Sequence, residues 1–445
     1  MRGTVKAVLG LAAGVMVNVA GAQALSPVEQ RIVAEVHAHA PQALELLRQS
    51  VLINSGTMNH QGVRAVGKLF RDQFDELGFK TRWIEMPPEM RRAGHLLAER
   101  ESGQRQGGGK RLLLLGHLDT VFEPGNATPA WEPQAGPDGK VSQIRGQGVA
   151  DMKGGDVIMI EALRALQRAG VLDGARIAVV LTGDEENAGN PKSVARGDMV
   201  ELAKRSDVAL SFESSMPGKN GVPAATVGRR SSGSFDLEVK ARQGHSMAVF
   251  GANGYGAVYE AARILDAFRQ QVVEPGLTFN PGVILGGTEV SFDEAGSRGS
   301  AFGKTNIIAN TVTVKGDLRA LDPAQRDRAQ ARMREIVAHS LPGASAKIDF
   351  RESYPPMAVT PGNLKVLAQY SQASQDAGLG PIDVVPPESR GAGDIQFAAP
   401  HVDSLDGLGA GGSGTHSPNE SLDVASIERG AIRAALLMYR LTRQQ

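Results

Sequence analysis

The sequence predicts an α/β protein built on a doubly wound, mostly parallel sheet, with a smaller βαββαβ unit inserted into it. Short apolar runs that stop at glycine or charge recur at 112–115, 175–181 and 208–212, separated by amphipathic stretches. Runs of this length, bounded by turn signals, read as strands buried on both faces. Past Val227 the pattern becomes strand, helix, two strands, helix, strand, the split βαβ arrangement of a small sandwich. At 445 residues the chain exceeds a single core, so two domains are expected.

Residues 1–24 stand apart. Arg2 and Lys6 precede an apolar stretch over 7–20 that closes on the small residues Ala22 and Ala24. This is the layout of a cleaved secretory signal, too short and wrongly flanked for a membrane anchor. The expected product is exported, periplasmic or secreted, with no membrane attachment after cleavage. Lys+Arg and Asp+Glu both number 48, and removing the segment takes away two basic residues and no acid, so the mature net charge is −2. A balanced chain without a basic run is not built to bind nucleic acid. With no cysteine, neither disulfides nor acylation on cysteine is available, and the core must supply the stability; a hydrophobic content of 41% can do so.

The mature chain opens with a helix over 26–49, with Pro27 in its first turn and Ile32, Val33, Val36, Leu44 and Leu47 at helical spacing. A second helix covers 61–77 and ends at Gly78; His60 at its start reads as a surface residue. Strands at 96–100 and 111–115 are joined by the Gly- and Gln-rich stretch 101–110, whose composition predicts a mobile loop. A helix over 156–169 follows a glycine-rich turn around Asp151. In the inserted unit, 234–241, 286–292, 311–318 and 346–350 read as strands, and 254–271 and 323–340 as helices. The doubly wound pattern resumes after Tyr354 and closes with a helix over 424–440. The expected division is a signal at 1–24, the main domain at 25–226 and 354–445, and the inserted domain at 227–353.

Open α/β sheets bind ligands beyond the carboxyl ends of their strands. Here those ends lead to His117 and Asp119, to Asp184, Glu185 and Glu186, and to Glu213; Asp151 sits in the glycine-rich turn and His416 near the C-terminus. Each alone is ordinarily a loop carboxylate or a hydrogen-bonded histidine. Together His117, Asp151, Glu186, Glu213 and His416 make a donor set suited to Zn²⁺, too many for one tetrahedral ion but fitting two ions that share a carboxylate. Such ions, about 3.5–4 Å apart, can present a nucleophilic water and polarise a carbonyl. Glu185, beside a ligand and unneeded as one, is then free to be the general base.

The motifs GHLDTVF, GQGVADMKGG, LTGDEENAG, SFESS and GTHSPNE, in this order along nearly the whole mature chain, resemble the co-catalytic zinc exopeptidases and deacylases. That family includes glutamate carboxypeptidase, aminoacylase, acetylornithine deacetylase and succinyl-diaminopimelate desuccinylase. The resemblance implies two Zn²⁺ per chain, with Asp151 bridging, His117 and Glu213 completing one site, and Glu186 and His416 the other. It implies Glu185 as base, Asp119 as the partner that orients His117, and a cis Asp151–Met152 peptide. In the inserted unit it implies that His245 and Asn306 bind the scissile carbonyl or the substrate. Arg319 would grip a carboxylate through paired hydrogen bonds. Read without the family, His245 is also compatible with a capping residue and Arg319 with a surface ion-pair partner. Ala309 stands where the family often has proline, and the loop 391–394 matches one near the substrate without an assigned role. The inserted domain is further expected to pair two chains into a homodimer and to close as a lid hinged near Val227 and Tyr354.

The expected activity is that of an exopeptidase, closest to glutamate carboxypeptidase, cleaving an amide next to a free carboxylate in small peptides or N-acyl amino acids. A deacylase, dipeptidase or aminopeptidase of the same family is the alternative; Glu213 leans against the last two, which tend to carry Asp there. An exported zinc-dependent binding protein would need the ligands but not Glu185.

Overall fold

The computed structural model describes residues 22–101, 109–294 and 297–443. The secretory signal and the loop 101–110 expected from the sequence lie almost wholly outside them. Six strands form the central sheet, in the spatial order Lys80–Ile84, His95–Arg100, Arg176–Thr182, Arg111–His117, Val208–Ser211 and Asp403–Leu405. The last four run parallel, and the first two add antiparallel strands at one edge.

The four leucines of the Arg111–His117 strand explain its central place. Leu112 and Leu114 enter the core under the helices Pro27–Leu52, Gly154–Arg168 and Val424–Arg443, while Leu113 and Leu115 enter a second core with Met199, Leu202, Ile395 and Ala398. A strand covered on both faces has no polar side to present, and each buried leucine contributes about 2 kcal/mol. The first helix is started by Ser26 and Glu29, each accepting from the other's backbone N–H. Glu29 also accepts from Arg440, tying the first helix to the last.

The inserted unit has its own core. Its antiparallel sheet runs in the order Thr278–Gly287, Thr311–Arg319, Ser232–Ala241, Ala344–Tyr354. Phe235, Leu237 and Val239 point alternately inward to meet Ile264, Phe268, Met333 and Ile336 of the helices Gly256–Gln271 and Pro323–Ala338. The strand expected over 286–292 is corrected: Thr278–Gly287 pairs with Thr311–Arg319, and Glu289–Asp293 turns away into a hairpin with Arg298–Phe302. The sequence hides this because Asn280-Pro281-Gly282 reads as a turn. Proline, lacking an N–H, is tolerated here because the strand is an edge and its register shifts between Pro281 and Val283. The two chain crossings into the unit run side by side, the N–H and C=O of Arg229 exchanging 3.0 Å bonds with those of Met357. Among the described residues no helix is long and apolar enough to cross a membrane.

Candidate active site

Each candidate residue hangs from an element whose position the cores fix. His117 ends its strand; Glu185 and Glu186 follow the Arg176–Thr182 strand; Glu213 follows Val208–Ser211. Asp151 lies in the turn before the Gly154–Arg168 helix, where the Asp151–Met152 peptide is cis. Gly155 is required at the helix start, since a Cβ there would lie 1.8 Å from the Phe212 carbonyl oxygen. That close approach sets the Asp151 turn against the residue before Glu213. His416 holds a left-handed backbone, φ 61°, uncommon for a residue with a side chain and frequent at functional sites.

These elements bring five side chains together in two sets that share one member. His117, Asp151 and Glu213 offer ligand atoms within 4.8 Å of one another, as do Asp151, Glu186 and His416. The two oxygens of Asp151 divide between them: Oδ1 lies 3.3 Å from His117 Nε2 and Oδ2 3.2 Å from His416 Nε2. Glu213 Oε1 is 3.6 Å from His117 Nε2, and Glu186 Oε2 is 3.1 Å from His416 Nε2.

Too little positive charge faces these acids. Burial, then Glu213, push Glu185 well above the usual carboxylate range. Burial and Asp151 push Glu213 up to about 7. Burial acts on Asp151 too, but the imidazoles of His117 and His416 outweigh it and hold its carboxyl well below the usual range. Hydrogen bonds to Asp151 and Glu186 push His416 up to about 11. Glu186 Oε1 is buried with no hydrogen-bond partner. A crowd of carboxylates with an orphaned oxygen and two imidazoles is the environment a divalent cation stabilises, so the residues present fit a pair of such ions.

Asp119 does more than the sequence suggests. Its carboxylate is 3.6 Å from His117 Nδ1, beyond hydrogen-bond length, and its own backbone carbonyl takes the 3.0 Å contact with that nitrogen. The carboxylate instead accepts from the backbone N–H of Glu185 at 2.9 Å and Glu186 at 3.1 Å, and from Thr57 Oγ1 at 2.6 Å. One residue therefore sets both the imidazole and the turn that carries the two glutamates.

Other residues went unread. Glu420 accepts from the N–H groups of Gly148, Ala150 and Asp151, so the His416 loop braces the Asp151 turn. Its only signal was its place four residues after His416. Arg196, fully buried, donates to Asp184 and to Asp394, both at 2.6 Å, and Asp394 also accepts from Thr182 Oγ1. This clamps the turn of Glu185 and Glu186 from behind. Arg229, buried beside Glu213, pairs with Asp406.

The residues expected from the inserted unit are not gathered into this cluster. His245 and Asn306 are neighbours, with the Ser246 N–H donating to the Asn306 carbonyl at 2.9 Å, and both are exposed. His245 Nδ1 accepts from the Met247 N–H, so it does cap a short turn. Arg319 is paired with Asp317 at 3.0 Å in its own strand.

Peptidase family M20/M25/M40 matches residues 113–440. Carboxypeptidase G2 of Pseudomonas sp. (strain RS-16) is 27% identical over 414 residues, covering 90% of this chain and 89% of that protein. Succinyl-diaminopimelate desuccinylase of Methylobacterium radiotolerans is 27% identical over 326 residues, 72% of this chain and 78% of that one. The solved aminopeptidase PepT from Bacillus cereus ATCC 10987 superposes with a TM-score of 0.68 at 18% identity, over 90% of this chain and 98% of that one, a likeness of fold.

Proposed function

The chain belongs to peptidase family M20/M25/M40, and from that we propose that it is a two-zinc exopeptidase of the glutamate carboxypeptidase type. It would cleave the amide next to a free carboxylate in small peptides or N-acyl amino acids. Enzymes of this family are metallohydrolases that bind divalent metals, two in the usual case. The observation that carries the two-zinc reading is the division of Asp151, one oxygen toward His117 and the other toward His416. His117 and Glu213 would hold one ion, Glu186 and His416 the second, and Asp151 both. When bound, the pair would supply an activated water and polarise the scissile carbonyl.

The chain's own residues do the rest. Glu185 takes the proton of the attacking water and gives it to the leaving amine. Asp119 holds the Glu185 and Glu186 backbone, so the base and its neighbouring ligand keep a fixed separation. The carboxypeptidase reading is favoured by Glu213 and by the extent of the match to carboxypeptidase G2. An N-acyl amino acid deacylase is the second reading, favoured by the likeness to the desuccinylase. Export through the signal at 1–24 belongs to the proposal, as does pairing of two chains through the inserted unit. The outer edge of the Thr278–Gly287 strand leaves backbone groups that a second copy could cover.

The test is a hydrolysis screen of zinc-loaded protein across N-acyl amino acids, dipeptides and pteroylglutamate-type compounds. Turnover of N-blocked substrates with a free carboxylate is expected. Preference for dipeptides with a free amine would move the assignment to a dipeptidase.

A further inference from the structure

An enzyme that cleaves beside a free carboxylate needs a cation to receive it, and most cations near the cluster are already engaged. Arg229 donates to Asp406 at 2.7 Å and to the carbonyls of Gly391 and Ala392 at 2.8 and 3.0 Å. Arg196 is held by Asp184 and Asp394. Lys192 lies over the Tyr354 ring, 5.5 Å from its centre. Arg319 is turned to Asp317.

Arg390 differs from all of these. It directly precedes Gly391, whose carbonyl Arg229 grips, so its backbone is anchored beside that buried arginine. Its side chain is half-buried, its Nε is wholly buried without a partner, and no hydrogen bond, ion pair or ring contact of its guanidinium occurs among the described residues. Burial, then the charge of Arg229, lower its pKa from the ordinary value, while Asp406, Glu213 and Asp151 act in the opposite sense. A partly desolvated guanidinium thus borders the loop that Arg229 holds, with no bonded partner among the described residues. A guanidinium with a purely structural role would be paired, because a buried donor left unmade costs about 1–3 kcal/mol.

We propose that Arg390 is a specificity-determining residue that receives the substrate carboxylate adjoining the scissile amide. The inference rests on the exopeptidase reading above and names the group behind its selectivity. The planar fork of arginine matches a carboxylate with two parallel hydrogen bonds, and the ligand supplies the negative charge that the Arg390 guanidinium lacks.

The experiment compares zinc-loaded wild type, Arg390→Ala and Arg390→Lys on N-benzoyl-L-glutamate and on its α-amide. Wild type should prefer the free acid. Arg390→Ala should lose about 10²-fold in kcat/KM on the acid, mostly through KM, and stay within about threefold on the amide. Arg390→Lys should recover part of the loss, and Lys192→Ala should leave the acid-to-amide ratio unchanged. Calorimetric titration of free L-glutamate into the zinc-loaded proteins should weaken in parallel. Equal loss on acid and amide, an unchanged ratio in Arg390→Ala, or transfer of the whole effect to Arg319→Ala would each overturn the assignment. A wild type that shows no preference for the acid would instead sink the exopeptidase reading. If wild type cleaves neither compound, its relative affinity for the two, with and without Arg390, still decides the role of this residue.

Discussion

The floor of the site and the inserted unit above it are held in different ways. On the floor, every proposed zinc ligand follows a strand or a braced turn, and the turns are bonded to each other across long sequence distances. Asp119 holds the Glu185–Glu186 turn, Glu420 the Asp151 turn, and Arg196 joins Asp184 to Asp394. In the inserted unit, His245 and Asn306 are exposed, their bonds run to near neighbours, and Arg319 is paired within its own strand. The lesson is one of preorganisation. The floor is braced before substrate arrives, whereas the inserted unit carries its candidate residues at its surface and joins the main domain by crossings as narrow as the Arg229–Met357 pair.

Substitutions should separate the two regions, and the largest effect belongs to the one side chain both ligand sets share. Asp151→Ala removes both bridging oxygens, so metal analysis should fall from about two zinc per chain and hydrolysis should drop to background. A wild type with full activity and one zinc would refute the shared-carboxylate arrangement. Glu185→Gln comes next: kcat should fall by roughly 10²–10⁴ while zinc content stays unchanged. Activity near wild type would remove Glu185 from the mechanism.

Arg196→Met probes the clamp behind the floor. It leaves Asp184 and Asp394 buried without their cation, and denaturant unfolding should show a loss of about 3–5 kcal/mol. A change below about 1 kcal/mol would mean that the floor is not braced from behind. His245→Ala should have the smallest structural cost, with melting and zinc content unchanged. Its kcat should fall by about 10²–10³, the loss expected for one donor to a developing oxyanion. If the partner chain supplies this histidine, mixing His245→Ala with Glu185→Gln should restore part of the activity, and heterodimers that stay inactive would confine His245 to its own chain.

Much of the floor could be read from residue order alone. An apolar run ending at glycine specifies a buried strand and its end locally, through burial and a break in propensity, so His117, Glu185, Glu186 and Glu213 could be found by reading to the ends of such runs. The resemblance of the motifs supplied the proposed pairing of ligands. Element boundaries followed for the helices, whose starts are marked by Ser26 and Asp322, side chains that accept from the first-turn backbone. The edge strand Thr278–Gly287 was missed because Pro281 imitates a turn, and only its pairing with Thr311–Arg319 reveals it.

What the residue order does not carry is any contact without a local period. Asp119 turning its carboxylate to the Glu185 and Glu186 N–H groups, Glu420 reaching the Asp151 turn, and Arg196 spanning Asp184 and Asp394 depend on where distant loops arrive once two cores have packed. The same holds for Arg390. An arginine in a glycine-rich loop is unremarked in one dimension, and becomes a candidate only when folding buries its Nε beside Arg229 and leaves it without a partner. Strand ends are written in the chain because apolar burial is a local sum over side chains, whereas the partners of buried polar groups are chosen by the packing that surrounds them.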